Sequence, residues 1–136
     1  MDRDLRESAA NDEGGQQWQD SRSKSLDSPD ETRPFVDKGQ AAVVNVDGHP
    51  VLRATYEPGW RWSEHVKPIA GTDSCQTNHF GYILSGRIHV VMDDGTESDA
   101  GPGDIFAVAP GHDAWVIGDE PCVTIDFGQV ARYAKR

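Results

Sequence analysis

The sequence predicts an all-β domain behind a polar leader, and three observations carry that prediction. From Gln40 onward, apolar runs of strand length alternate with turn clusters of Gly, Pro and Asp. No apolar run sustains a helical period, and no internal repeat is present. Turns recurring at this spacing suit a sandwich or a closed barrel, architectures that protect strand edges.

Residues 1–33 come first and hold nine acidic and five basic residues among Ser, Gln, Asn and Gly. Leu5, Trp18 and Leu26 are almost their only sizeable apolar side chains, too few to offset the entropy of ordering the segment. It is read as a disordered acidic tail, with one domain over residues 34–136. The candidate strands that follow are Ala42–Val46, Val51–Tyr56, Trp60–His65, His79–Leu84, Arg87–Met92, Ile105–Val108, Ala114–Ile117 and Cys122–Phe127. Turn residues between them include Asp47-Gly48-His49-Pro50, Glu57-Pro58-Gly59, Asp93-Asp94-Gly95, Gly101-Pro102-Gly103, Pro110-Gly111 and Gly118-Asp119-Glu120-Pro121. Lys67–Asn78 breaks the rhythm as a long polar insertion, the kind of segment that often serves as a lid or binding loop.

Composition narrows the function classes. A chain of 136 residues that is 36% hydrophobic supports one core. A net charge of -10, with the acidic residues scattered, argues against nucleic acid or anionic lipid as partner. Two cysteines, Cys75 and Cys122, are too few for a disulfide scaffold, and no apolar run is long enough for a membrane helix. The start, Met-Asp-Arg-Asp-Leu-Arg-Glu, lacks the apolar segment of a signal peptide, so a cytoplasmic protein is expected.

Four stretches then carry a resemblance: Tyr56-Glu57-Pro58-Gly59, His79-Phe80-Gly81-Tyr82-Ile83-Leu84-Ser85-Gly86-Arg87-Ile88-His89-Val90, Gly101-Pro102-Gly103-Asp104 and Pro110-Gly111-His112. In their order, over about residues 40–128, they resemble the cupin superfamily. The resemblance implies a double-stranded β-helix, or jelly-roll barrel, and, as in many cupins, one transition metal held inside by three histidines and a glutamate.

The ligand positions carry over with exchanges. Counting back seven residues from Gly86 puts His79 where the family's glutamate would stand. Counting forward from Pro58-Gly59 puts the His-x-His pair on His65-Val66-Lys67, whereas a gapless count back from Gly86 lands on Thr72 and Ser74. In the second motif Gly103 and Gly111 match, but Ala109, Ala114 and Gly118 stand at the proline, histidine and asparagine positions, and His112 comes two residues early.

Ligand chemistry orders the candidates. Zn, Fe, Mn, Ni or Cu would need three or more donors about 2.0–2.3 Å from one point, and His65, His79 and His112 supply three imidazoles. Strand alternation puts Arg61, Ser63 and His65 on one face and Trp60, Trp62 and Glu64 on the other, so His65 faces inward if the tryptophans pack outside. Cys75, four residues before His79, offers a softer donor, or a reactive thiol if a cation lowers its pKa. Lys67 would oppose a bound cation. The plainer readings are a structural core histidine at His79, turn chemistry at His112-Asp113, a buried small hydrophobe at Cys122, and packing roles for Trp60, Trp62 and Trp115.

Two classes of function follow. One is a binding module, a barrel that takes up a small molecule and a transition metal. The other is an enzyme. Its catalytic residues would be His79 or His112 as general base, with Asp113 orienting an imidazole, or a metal held by His65, His79 and His112. The resemblance implies metal-dependent dioxygenases or isomerases on one side and metal-free sugar epimerases with a His-Asp pair on the other. Arg61 would bind a substrate carboxylate, Tyr82 would donate a proton, and Trp115 would line the barrel mouth. A homodimer is expected, through an exposed face bearing Trp60 and Trp62.

Overall fold

The structure, a computed structural model, describes residues 21–136. Residues 1–20, which hold most of the expected tail and Trp18, lie outside the described residues. The strands are β1 (Glu31–Pro34), β2 (Gly39–Val46), β3 (His49–Tyr56), β4 (His79–Ser85), β5 (Arg87–Met92), β6 (Glu97–Ala100), β7 (Ile105–Val108), β8 (His112–Ile117) and β9 (Cys122–Asp126). They form a six-stranded sheet in the order β1-β2-β3-β9-β4-β7 and a three-stranded sheet in the order β6-β5-β8, with antiparallel pairing.

Period-two burial sets which side chains face the barrel interior. In β4, His79, Gly81 and Ile83 are buried while Phe80, Tyr82 and Leu84 are exposed. In β8, His112, Ala114 and Val116 are buried, and in β9, Cys122, Thr124 and Asp126. One side of each strand therefore lines the space between the sheets, where Leu52, Ala54 and Ile83 meet Val90, Ala114 and Val116. Both residues of the two-residue turn between β2 and β3, Asp47 and Gly48, have positive φ, 53° and 85°. That geometry matches the twist of the paired strands and favours Asp-Gly.

Several expectations need correction. Trp60–His65 is not a strand. Arg61 makes one isolated bridge to Trp115, and the chain then coils into two short helical turns, α1 (Trp62–His65) and α2 (Lys67–Ala70). Pro68 suits the start of α2, and Gly71, at φ 76°, ends it in the left-handed region. Trp60 and Trp62 are each 2% exposed, so the outward tryptophan face proposed for dimer contact belongs to the core.

Strands β1 and β6 were not expected, because Glu31-Thr32-Arg33-Pro34 and Glu97-Ser98-Asp99-Ala100 carry almost no apolar side chains. The domain therefore begins before Pro34. Arg33 is buried, and its guanidinium donates to the carbonyls of Val130, Ala131 and Tyr133 at 2.8–2.9 Å. This clamp fixes the C-terminal segment across one end of the barrel, with Val130 and Tyr133 buried.

Candidate metal and ligand site

Three strands and one loop bring polar side chains together inside the barrel. The β4–β9 pairing sets Gly81 opposite Asp126, which places His79 and Asp126 side by side on the interior face. His79 Nδ1 lies 2.5 Å from Asp126 Oδ2. The other carboxylate oxygen accepts the backbone N–H groups of Phe80 (3.1 Å) and Gly128 (2.9 Å), so this buried acid is fully hydrogen-bonded.

Cys75 reaches the same place from the long loop. Its N–H donates to the His112 carbonyl at 2.7 Å, and its carbonyl accepts the Gly111 N–H at 2.7 Å. This isolated bridge pins the end of the insertion against the start of β8. Cys75 Sγ lies 3.6 Å from His79 Nε2, and the donor atoms of Cys75, His79 and His112 all lie within 4.8 Å of one another. His112 Nδ1 donates to the Ala109 carbonyl at 2.8 Å, which leaves Nε2 with its lone pair free.

The electrostatics follow from these contacts. Burial alone would raise the Cys75 thiol, but the His112 and His79 imidazoles outweigh it and bring the pKa down to about 6. Burial would lower His79, but its bonds to Asp126 and then Cys75 outweigh that and raise it to about 9. Both shifts run in the direction that favours a thiolate facing an imidazolium. Cys122 has no such neighbours, and burial pushes its thiol up to about 12.

His79, His112 and Asp126 border a cavity of about 320 Å³ between the sheets, with Cys75 behind the two imidazoles. His79, His112, Asp126, Thr124, Tyr56 and Tyr133 contribute its polar wall. Ile83, Ile88, Val90, Phe106, Val108 and Ala114 contribute the apolar wall. Gly81 leaves room for this arrangement, since a Cβ there would stand 2.8 Å from the Phe106 ring and 1.9 Å from the Ile125 carbonyl oxygen. Ser98, Asp99, Asp104 and Ile105 also line the cavity, so its mouth lies between the edge strands β6 and β7.

No protein-family model and no curated protein matches the chain. Solved structures do match. An RmlC-like cupin from Shewanella frigidimarina superposes with a TM-score of 0.51 at 14% identity, covering 79% of this chain and 90% of that one. A double-stranded β-helix domain protein from Klebsiella pneumoniae gives 0.50 at 20% identity, covering 79% and 88%. An oxalate decarboxylase from Bacillus subtilis gives 0.50 at 22% identity over 73% of this chain and 27% of its own. This chain has the cupin fold.

Within the cupin barrel, His79, His112 and Cys75 converge, and the other expected site residues stand apart. His65 ends α1, and its Nδ1 accepts the Arg61 N–H at 3.0 Å, a local bond that follows from the helical turn replacing the expected strand. Asp113 faces away from His112 by strand alternation. Its carboxylate accepts the N–H of Ser63 and pairs with Arg61 at 3.5 Å, so it orients no imidazole. Arg61 lies over the Trp115 ring at 4.1 Å on the outside of the three-stranded sheet, and Tyr82 points outward from β4. None of these residues borders the cavity.

The acid that orients a histidine is Asp126, which the sequence reading missed. Its signal was present: in Cys122-Val123-Thr124-Ile125-Asp126, the carboxylate shares parity with Cys122 and Thr124 inside an otherwise apolar strand. Tyr133 was missed too. Its ring meets His79 edge-on at 5.0 Å, and its hydroxyl lies 3.1 Å from that of Tyr56.

The donor set fits a transition metal. One thiolate and two imidazoles suit Zn, Fe or Cu better than Mg or Ca. A carboxylate behind one imidazole and a carbonyl behind the other are the supports that metal-binding histidines use.

Proposed function

We propose that this chain is a small cupin that holds one transition metal through Cys75, His79 and His112 and admits a small organic molecule beside it. The observation that carries this reading is the convergence of those three donors, two of which, His79 and His112, line a cavity large enough for a ligand. Asp126 holds His79 with Nε2 toward the centre, and the Ala109 carbonyl does the same for His112. A bound metal would supply Lewis acidity at the polar end of the cavity. The chain's residues supply the rest: the apolar wall excludes water and orients the ligand, and the Tyr56–Tyr133 pair offers a hydrogen bond.

A second reading is favoured by the line Cys75–His79–Asp126. Without metal, this line holds a thiolate beside an imidazolium that a carboxylate orients, the arrangement that activates a thiol nucleophile or an acid–base pair. It moves the His-Asp pair of an epimerase-like reaction from His112-Asp113 to His79-Asp126.

Elemental analysis of untagged protein purified without chelator tests the proposal. A near-stoichiometric transition metal, lost in Cys75→Ser and His112→Ala proteins that keep the wild-type circular dichroism spectrum, is the expected result. No uptake after incubation with Zn, Fe, Mn, Ni or Cu would overturn the metal and leave the thiol reading. No helix among the described residues is long and apolar enough to cross a membrane. The cytoplasm remains the proposed location, supported by two free cysteines.

A further inference from the structure

Resting on the reading that the barrel binds a small molecule, we propose that its ligand is uncharged: a ring-sized, largely apolar molecule carrying one oxygen acceptor, not a carboxylate or phosphate. The wall chemistry carries this inference. Among the described residues no Lys or Arg lines the cavity, so none of their guanidinium or ammonium groups receives an anion there. Arg87 lies against Gly101 and is not a wall residue, and Arg61 is held outside by Trp115 and Asp113.

The mouth is acidic. Asp104 stands on the turn that leads into β7, at that mouth, in a chain of net charge -10. Asp104 accepts the Gly101 N–H at 2.8 Å, which fixes its carboxylate there, whereas the Asp99 carboxylate turns to His89 on the outer face of the sheet. Anions meet a repulsive field before they reach the interior.

The interior does not reverse that preference. A metal dication there would already face the Cys75 thiolate and the Asp126 carboxylate, which offset its charge. An incoming carboxylate would lose its hydration and find only neutral donors in its place, the Trp60 and Trp62 indole N–H groups, unpartnered among the described residues, and one tyrosine proton. A cation would fare no better against Ile83, Val90, Phe106 and Val108.

Strand register gives the cavity a direction. His79, His112 and Asp126 occupy one end, and Ile83, Ala114 and Val90 come next along the strands. The Tyr56 and Tyr133 hydroxyls use one of their two protons between themselves. The other has no acceptor among the described residues and points the ligand's oxygen to the polar end.

Isothermal titration of zinc-loaded full-length protein with matched pairs (benzamide and benzoate, phenylacetamide and phenylacetate) tests the proposal, with zinc content measured separately. Each amide is expected to bind at least about tenfold more tightly than its acid. The Asp104→Asn variant should narrow that ratio, and Ala114→Leu should abolish amide binding by filling the cavity. Acids binding as tightly as amides would overturn the ligand class while leaving the small-molecule reading intact. Binding unchanged in Ala114→Leu would overturn it by placing the ligand elsewhere. Zinc at full occupancy with no binding by either series would overturn the ligand class and the small-molecule reading together, leaving the metal site.

Discussion

Asp126 Oδ2 meets His79 Nδ1 at 2.5 Å inside the barrel, and this contact decides that Nε2 is the nitrogen facing Cys75. Replacing the acid by its amide keeps the shape but lets the ring adopt the other tautomer. Asp126→Asn is therefore expected to weaken zinc binding roughly 10- to 100-fold, read by competition with a chelator of known affinity. Unchanged affinity would show that His79 needs no orienting acid.

The thiol of metal-free protein should titrate early. Cys75 is lowered to about 6 and Cys122 is raised to about 12, so thiolate absorbance in the ultraviolet should report Cys75 alone across the neutral range. Because the two imidazoles stabilise the charged form, absorbance should grow as pH rises through about 6. In His79→Ala the same step should move toward the ordinary cysteine value. A wild-type step in the ordinary range would remove the thiolate from the site.

The fold was legible where residue pattern and burial agree. Arg87–Met92 and Ile105–Val108 match their expected bounds because turn residues bracket runs of strand length. The site was only half legible. His79, His112 and Cys75 lie on elements whose contacts depend on register, and the Cys75–His112 backbone bridge joins residues far apart in sequence. Trp60–His65 misled because its alternation begins as in a strand, with Trp60 and Trp62 buried on either side of the Arg61 bridge, and the helical turn starts only at Trp62. Pro68 and Gly71 were the signals for the turn that follows it, α2. Asp126 was not legible as a site residue because its link to His79 depends on the pairing of β9 with β4, which strand parity alone does not give.

Arg33 ties the first strand to the last residues, so its loss should be felt at the site. Arg33→Ala leaves the buried carbonyls of Val130 and Tyr133 without their donor, a loss expected to cost on the order of 2 kcal/mol in urea denaturation. Because the clamp also holds Tyr133 against His79, zinc should exchange faster in the variant. A variant as stable as wild type would show that water replaces the clamp.

Self-association is expected on a different face from the tryptophans. Phe80 (54% exposed), Leu84 (48%), Ile105 (65%) and Phe127 (56%) stand with Tyr82 on the outer side of the large sheet. Ile105 pairs with Tyr82 across β7 and β4, and the Phe127 N–H donates to the Phe80 carbonyl, so these side chains form one patch beside the free edge of β7. Five large apolar side chains together exceed ordinary surface scatter, and a two-fold axis would let the patch cover itself. Two copies at a net charge of -10 each repel, so the dimer should tighten as salt screens that repulsion. Leu84→Glu should shift the protein to monomer in sedimentation velocity without lowering its melting temperature, since the side chain is half exposed. A wild-type monomer at both low and high salt would show that this face does not pair with itself.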